Sequence, residues 1–250
     1  MSARELRVRP LAGMPEVREG DRLGDLIAGA TEPGSDEIVI LSQKVVSKAE
    51  GRLRRLAEVS PGGRAIALAE QTGKDPALVE LALSESRAVI RAEPGVLITE
   101  TEGGWVCANA GIDSSNLPAD GWVTLLPVDA DESARRIRAE IRASSGAAPA
   151  VVIADSFGRP WRLGQADVAL GCAGISAIDD WRGRRDAQGR ELAATAIAIA
   201  DELAAAADLV RDKDSNIPGA IVSGLADLVS ADDGPGARPL QRPADQDLFR

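Results

Sequence analysis

The stretch Ala150-Val151-Val152-Ile153-Ala154-Asp155-Ser156-Phe157-Gly158-Arg159 joins a short apolar run to the most distinctive polar residues of the chain. Its first five residues are small or β-branched and are bounded by Gly and Pro, which predicts a buried strand. Asp155 is therefore expected where that strand ends, and in α/β sheets ligands bind at the carboxyl ends of the strands. A carboxylate followed by a hydroxyl, Asp155 and Ser156, offers the hard oxygen atoms that Mg²⁺ or Mn²⁺ prefers.

Arginines are concentrated after this carboxylate. Between positions 155 and 191, six arginines balance six acidic residues, whereas the whole chain carries a net charge of −10. Arginines beside a metal-type carboxylate favour an anionic ligand, and phosphate matches the planar fork of the guanidinium group. A strand, a turn and surface ion pairs explain any one of these residues equally well, so only the combination indicates a site.

The composition of the 250 residues excludes several classes of function. Histidine is absent, which excludes His-based triads and His-rich zinc sites and leaves carboxylates, Lys, Arg and bound metal to carry chemistry. Cys107 and Cys172 are isolated, so neither a disulfide framework nor a zinc site is indicated. No basic stripe suggests a nucleic-acid partner, and no apolar run approaches the ~20 residues of a membrane helix. We expect a cytoplasmic protein without a signal peptide.

Hydrophobic periodicity predicts a mixed α/β protein with a substantial core. The predicted strands lie within 6–17 (an edge strand), 37–41, 96–99 paired as a hairpin with 105–108, 122–126, 150–154 and 220–222. The predicted helices are 20–30, 64–72, 76–89, 129–142 and 191–210. Residues 168–178 are apolar, and Gly171 and Gly174 there indicate close packing. We place a subdomain boundary near 144–149 and predict an extended tail over 230–250, which is rich in Pro, Gly and charge.

Two further polar loops follow predicted strands. Residues 42–52 carry Lys44 and Lys48 beside hydroxyl groups, although lysines just past a strand are more often surface residues than ligands. The absence of a G-x-x-x-x-G-K-[ST] motif excludes a P-loop. Residues 109–116 present the oxygen and amide groups of two asparagines and Asp113, and Gly111 permits close backbone approach to a ligand. An Asx-rich turn would also explain this second loop.

Four motifs together resemble the coenzyme F420-0:gamma-glutamyl ligase family, in the order and spacing of that family and over nearly the full length. They are Ser47-Lys48-Ala49-Glu50-Gly51-Arg52, Asn109-Ala110-Gly111-Ile112-Asp113-Ser114-Ser115-Asn116, Asp155-Ser156-Phe157-Gly158-Arg159 and Asp201-Glu202-Leu203-Ala204-Ala205-Ala206-Ala207-Asp208-Leu209. The stretch 161–167 and the ending 240–249 look most like the ligase half of the two-domain actinobacterial enzyme. We expect the flavin-binding reductase-like domain of that enzyme to be lacking here.

The resemblance implies one ligase domain over residues 1–250 that uses GTP to join L-glutamate to coenzyme F420-0 and then to a growing gamma-linked tail. GTP would phosphorylate the acceptor carboxylate, and the glutamate amine would displace the phosphate. Such chemistry needs metal-bridged phosphates and fixed cations more than a protein base, and this chain offers carboxylates, Lys and Arg. The resemblance also implies a two-part fold and an intertwined homodimer.

Site residues follow from the same resemblance, position by position. Asp113 and Asp155 are implied as ligands of a first divalent metal, Mg²⁺ or Mn²⁺, and Ser156 of a second. Asp212 or Lys213, in the segment 211–217, would take the place of the remaining acidic ligand, and a monovalent cation is a further candidate. The nucleotide contacts implied are Met14, Pro15, Glu16, Val17, Gln43, Lys48, Asn116 and Lys213. Arg159 and Arg162 are our candidates for holding the anionic F420-0 substrate.

Two alternatives remain open beside the ligase. One is a metal-dependent phosphate-ester hydrolase that uses the same aspartates and a metal-bound water. The other is a non-catalytic GTP-binding module that supports a separate flavin-dependent reductase. Glutamate-dependent conversion of GTP to GDP would separate the ligase from both.

Overall fold

The computed structural model describes residues 5–115, 117, 119–212 and 214–247. The strands are β1 (Arg7–Pro10), β2 (Ile38–Ser42), β3 (Leu53–Arg55), β4 (Ser86–Glu93), β5 (Val96–Thr101), β6 (Val106–Ala108), β7 (Trp122–Thr124), β8 (Ala150–Arg159), β9 (Arg162–Ala173), β10 (Asp179–Asp180), β11 (Ala196–Ile197) and β12 (Gly219–Ser223). The α-helices are α1 (Leu23–Thr31), α2 (Gln43–Ala49), α3 (Gly63–Thr72), α4 (Pro76–Ser84), α5 (Ala130–Ser145) and α6 (Ile199–Asp208). This mixture of helices and strands confirms the predicted α/β class.

A five-stranded mixed sheet with strand order β1-β12-β2-β8-β9 forms the centre of the fold. Strands β2 and β8 are parallel, and the other neighbours in this sheet are antiparallel. Strand β1 pairs only with β12 at one side, which confirms the predicted edge strand. The parallel pairing of β2 and β8 ends at Ser42 opposite Ala154, so both strands leave this pairing at the same edge of the sheet, the edge of their carboxyl ends.

Both faces of the sheet are buried, because alternate residues of one strand enter two different clusters. Val39 and Leu41 of β2 pack with α1, α2 and α5 on one face, whereas Ile38 and Ile40 pack with α6 on the other. The result is a sheet between two helical layers. At Gly171 of β9 a Cβ atom would lie 2.2 Å from the backbone carbon of Ala130, which confirms close packing there.

A third cluster joins α3 and α4 to the sheet of order β4-β5-β6. The helical hairpin forms as predicted. Gly73 ends α3 with a left-handed backbone (φ 69°), and the Asp75 carboxylate caps α4 by accepting from the N–H groups of Ala77 and Leu78. Strands β5 and β6 confirm the predicted β-hairpin. The two-part organisation and the homodimer stay predictions.

Two predicted helices are too long. The helix expected to continue to Val89 ends at Ser84, because residues from Ser86 onward pair with β5 and the Ser86 hydroxyl donates to Thr99 Oγ1 at 2.8 Å. Tertiary pairing there overrides the helical periodicity. The helix expected over 191–210 spans only Ile199–Asp208, because β11 forms backbone bonds with β10.

The strand that begins at Ala150 is longer than predicted. It continues through Asp155 to Arg159, because β9 pairs with it along this whole length. Asp155 is therefore not at the end of its own strand. It is the first residue beyond the end of the parallel neighbour β2, which is the position where that side of β8 becomes available to a ligand.

Residues 146–149 connect α5 to β8, so the segment 144–149, near which we place a subdomain boundary, comprises the end of α5 and this connection. Residues 230–247 cover most of the predicted tail, and this segment contacts helix α5 of the same chain. Asp131 Oδ1 accepts from the N–H groups of Cys172 (2.9 Å) and Ala237 (2.8 Å), and Arg138 donates to Asp233 Oδ1 at 2.7 Å. Helix α5 thus fixes this segment against the central sheet.

Candidate active site

A cavity of about 520 Å³ opens at the edge of the sheet where β2 and β8 part. Five parts of the chain contribute to its wall, drawn from residues 14–17, 42–48, 108–115, 155–167 and 208–218. The wall holds Asp113, Asp155 and Ser156, and also Asp212 and Lys48. The structure therefore brings together all three polar stretches singled out in the sequence, although two of them are not loops, since residues 43–49 form α2 and residues 155–159 belong to β8.

Asp155 carries the most perturbed carboxyl group of this cavity. Its pKa is raised to about 7, chiefly because burial disfavours the charged form and also because of the charges of Asp113 and Asp167, whereas a backbone hydrogen bond from Ser156 and the charge of Lys44 act in the opposite direction. A carboxyl group whose pKa is raised in this way has too little positive charge nearby to stabilise its ionised form. Strongly perturbed carboxyl groups in a cleft are candidates for function.

This pKa predicts how the stability of the metal-free protein depends on pH. The unfolded chain has a pKa near 3.8 at this group, so the folded state binds the extra proton and the free energy of unfolding falls as pH rises from about 4 to 7. We expect Asp155→Asn to be more stable than wild type near pH 8, by at most roughly 4 kcal/mol, and equal near pH 4. Urea denaturation in EDTA measures this difference, and a variant no more stable than wild type at pH 8 would contradict it.

Lys44 is a site residue that the sequence analysis did not assign. Its ammonium group lies 2.8 Å from Asp113 Oδ2 and donates to Ser115 Oγ at 2.7 Å. Burial alone would raise the pKa of Asp113, but the hydrogen bonds and charge of Lys44, with the bonds from Ser115, hold it below the usual value. The signal was present in the sequence, since Lys44 lies two residues beyond a buried strand.

Most of the predicted nucleotide contacts line the same cavity. Residues 14–17 form one side, and Lys48 Nζ lies 2.6 Å from Glu16 Oε1, which ties α2 to this segment. Gln43 is fully buried, accepts from the Ser47 hydroxyl at 2.9 Å and is not among the residues that line the cavity. Asn116 and Lys213 lie outside the described residues.

The two candidate substrate arginines lie on the β8–β9 hairpin, away from the cavity wall. Arg159 donates to the carbonyl oxygen atoms of Leu163 (2.6 Å) and Gly164 (3.2 Å), and so holds the hairpin turn. Arg162 is exposed. Substrate binding by these arginines stays a prediction.

The backbone at the end of β6 is strained. Asn109, Ala110 and Gly111 all have positive φ values, of 51°, 55° and 72°, and only Gly adopts such values without cost. Asn109 lines the cavity, yet its Oδ1 atom is buried and has no hydrogen-bond partner among the residues that the structure describes. An unpaired buried acceptor and several strained residues are both costly, and strain of this kind clusters at functional sites.

The donor atoms of the cavity suit a hard divalent cation. Two carboxylates, the hydroxyl of Ser156 and the amide oxygen of Asn109, all on residues that line the cavity, are oxygen groups of the kind that Mg²⁺ and Mn²⁺ prefer. Within the described part of the chain, however, no three Asp, Glu or Cys side chains converge tightly enough to form a ready-made metal cluster. The chemistry of the donor set fits a metal.

Comparison with known proteins gives the context for this cavity. Residues 13–224 match the family model described as F420-0:Gamma-glutamyl ligase. This chain belongs to that family. Proteins named coenzyme F420:L-glutamate ligase are 44% identical in Methanopyrus kandleri over 247 residues, 98% of each chain, and 45% identical in Methanothermobacter thermautotrophicus over 244 residues, 95% of this chain and 96% of the relative. The relative of the same name in Haloarcula marismortui is 40% identical over 252 residues, 98% of this chain and 96% of its own.

Membership of the F420-0:gamma-glutamyl ligase family covers the whole candidate site. All five parts of the chain that line the cavity fall within the matched residues 13–224. None of the helices described is long and apolar enough to cross a membrane.

Proposed function

We propose that this protein ligates L-glutamate to coenzyme F420-0, and then to the growing gamma-linked polyglutamate tail, with GTP as co-substrate and an acyl phosphate as intermediate. The observation that carries the proposal is the cavity beside β8 at the point where β2 ends. It gathers the carboxylates and lysines needed for phosphoryl transfer in a chain of the ligase family.

The proposed roles follow the walls of the cavity. Asp113, Asp155 and Ser156, with Asp212 nearby on the loop after α6, would hold Mg²⁺ or Mn²⁺, which would offset the charge of the phosphates. Residues 14–17 and Lys48 would contact GTP, and Asn116, Lys213 and Gln43 are retained as proposed contacts. A monovalent cation is a further proposed cofactor.

The proposed reaction has two steps. A carboxylate oxygen of the acceptor attacks the γ-phosphorus, and GDP leaves with the bonding electrons. The free amine of glutamate then attacks the acyl carbon, forms the amide, loses a proton and releases inorganic phosphate. Lys44 and Lys48 supply fixed positive charge to the cavity in which phosphate charge shifts between these groups.

The remaining parts of the proposal concern the setting of the enzyme. We propose a cytoplasmic homodimer that can work beside a separate flavin-dependent reductase. The raised pKa of Asp155, which reflects a shortage of positive charge around its carboxylate, and the oxygen donors of the cavity support metal-dependent chemistry. The dimer and the reductase rest on the family resemblance alone.

One assay tests the function directly. Purified protein, F420-0, L-glutamate, GTP and Mn²⁺ should yield products heavier by successive glutamate units in mass spectrometry, together with GDP. GDP formation that does not depend on glutamate would favour a phosphate-ester hydrolase, and GTP binding without turnover would favour a binding module.

Lys48 provides a sharper prediction about the nucleotide. Replacing Lys48 by Ala should lower GTP affinity or turnover roughly tenfold to hundredfold, because a charge-assisted hydrogen bond of about 1.5–3 kcal/mol to phosphate is lost. The melting temperature without ligand should stay within the range of a surface substitution. Thermal shift with GTP and Mn²⁺ measures both quantities.

Lys74, which does not line the cavity, is the matched control. We expect Lys74→Ala to keep the wild-type shift with GTP. Equal shifts in Lys48→Ala and wild type would return Lys48 to the role of a surface lysine paired with Glu16.

A further inference from the structure

A buried ion pair lies in the wall of the cavity and has no role in the reaction described so far. Asp167, which is 3% exposed on β9, accepts from the Ser156 hydroxyl at 2.6 Å with Oδ1 and from Arg211 with Oδ2. The Arg211 side chain is 8% exposed and also lies 3.6 Å from Asp208 Oδ1. Ser156 and Asp167 are direct partners across β8 and β9, so their separation is set by the sheet.

Stability alone is a poor explanation for this pair. Desolvation offsets much of the attraction between two buried charges, and an apolar pair of similar volume is often equally stable. An apolar pair could not, however, orient a hydroxyl group. Because the hydroxyl hydrogen of Ser156 is committed to Asp167, the serine oxygen can act toward the cavity only as an acceptor.

The loop that follows α6 is held by the same carboxylate. Arg211 donates Nε to the carbonyl oxygen of Ala207 at 3.3 Å and reaches Asp167 with its other end. Its chain neighbour Asp212 lines the cavity. One buried carboxylate thus connects the hydroxyl on β8 with the loop that carries Asp212.

We propose that Asp167 and Arg211 are positioning residues for the divalent cation. Asp167 fixes Ser156 as an acceptor facing the cavity, and Arg211 fixes the loop of Asp212, which also lines the cavity. This inference rests on the proposed function. It adds residues that touch neither metal nor substrate but determine how well the cavity holds the cation, as outer-shell carboxylates do in metal sites.

The test is a Mn²⁺ titration monitored by melting temperature at saturating GTP. Asp167→Asn keeps the shape of the side chain, but it replaces one of the two acceptor oxygen atoms by an NH2 donor, so either Ser156 or Arg211 loses its acceptor. The Mn²⁺ concentration that gives half of the full thermal shift should rise roughly tenfold to hundredfold. Asp131→Asn is the matched control, since Asp131 is buried and accepts two hydrogen bonds outside this cavity. It should lower the metal-free melting temperature and leave the Mn²⁺ midpoint unchanged.

A second set of variants separates positioning from folding. Asp167→Asn combined with Arg211→Met removes both buried charges, so it remains testable if the single variant does not fold, and it should show the same raised midpoint. Ser156→Ala should raise the midpoint too, and adding Asp167→Asn to it should raise the midpoint by less than Asp167→Asn does alone, because only the contact with Arg211 is then left to lose.

The outcomes distinguish this inference from the proposed function. Three results would each overturn the positioning role alone. The Mn²⁺ midpoint of Asp167→Asn could equal that of wild type, or Asp131→Asn could raise the midpoint as much as Asp167→Asn does. The effects of Ser156→Ala and Asp167→Asn on the midpoint could also be fully additive. A wild-type protein without any shift from GTP and Mn²⁺ would overturn the proposed function and this role with it.

Discussion

Asp155→Asn should abolish the proposed glutamate ligation, with turnover at least roughly a thousandfold below wild type, because losing the proposed metal ligand would remove several kcal/mol of transition-state stabilisation. The fold should persist, because Asn has the shape of Asp and because burial already disfavours the charge of Asp155. Asp113→Asn should have the same effect on turnover. Mass detection of glutamate addition, with circular dichroism to confirm folding, measures both properties.

Asp201→Asn is a suitable control for these variants. Asp201 is a partly buried carboxylate with a raised pKa, it accepts from the N–H of Ala169 at 2.9 Å, and it does not line the cavity. We expect near wild-type turnover from it. If Asp113→Asn and Asp155→Asn both kept wild-type turnover across Mg²⁺ and Mn²⁺ titrations, the metal assignment would be wrong.

Of the substitutions considered, Arg138→Met should cause the largest loss of stability, a decrease of about 3–5 kcal/mol in the free energy of unfolding. The guanidinium group of Arg138 is nearly fully buried and donates to the carbonyl oxygen atoms of Pro149 (3.0 Å) and Ala231 (3.2 Å) and to that of Ser230. It also pairs with Asp233 at 2.7 Å. Methionine fills much of the volume, but it leaves these acceptors without donors.

Urea denaturation followed by circular dichroism measures this loss. Arg138→Lys should recover only part of it, because one ammonium group cannot span acceptors placed for a planar fork. Arg142→Met on the same helix is the control, since Arg142 is exposed, and it should change stability by under about 1 kcal/mol. A small effect of Arg138→Met would mean that residues 230–233 contribute little to the folded state.

Local patterns in the sequence predicted much of the fold. The break between the predicted helices 64–72 and 76–89 was placed correctly, because Gly73 and Pro76 act within one turn of a helix. Errors arose where distant partners decide the structure. Ser86 to Val89 has a helical pattern but pairs with β5, and the extent of β8 depends on β9.

The candidate site shows the same division. Asp113, Asp155 and Ser156 could be selected from their types and from their places beside apolar runs, and the structure brings them to one cavity. Lys44 was visible but indistinguishable from a surface lysine until its contact with Asp113 was known. Asp167 and Arg211 are 44 residues apart, and no local pattern indicates that they form a buried pair.

The cavity draws its wall from residues as far apart as Met14 and Pro218, so no short contiguous fragment of the chain contains it. A ligand held by all of these segments would bind only the completely folded protein, and its binding energy would oppose every opening that separates them. Protection against amide hydrogen exchange should therefore extend from the N-terminal segment through α6 when GTP and metal bind. Binding of ligand in this cavity and the opening of the segments that line it would therefore be thermodynamically coupled.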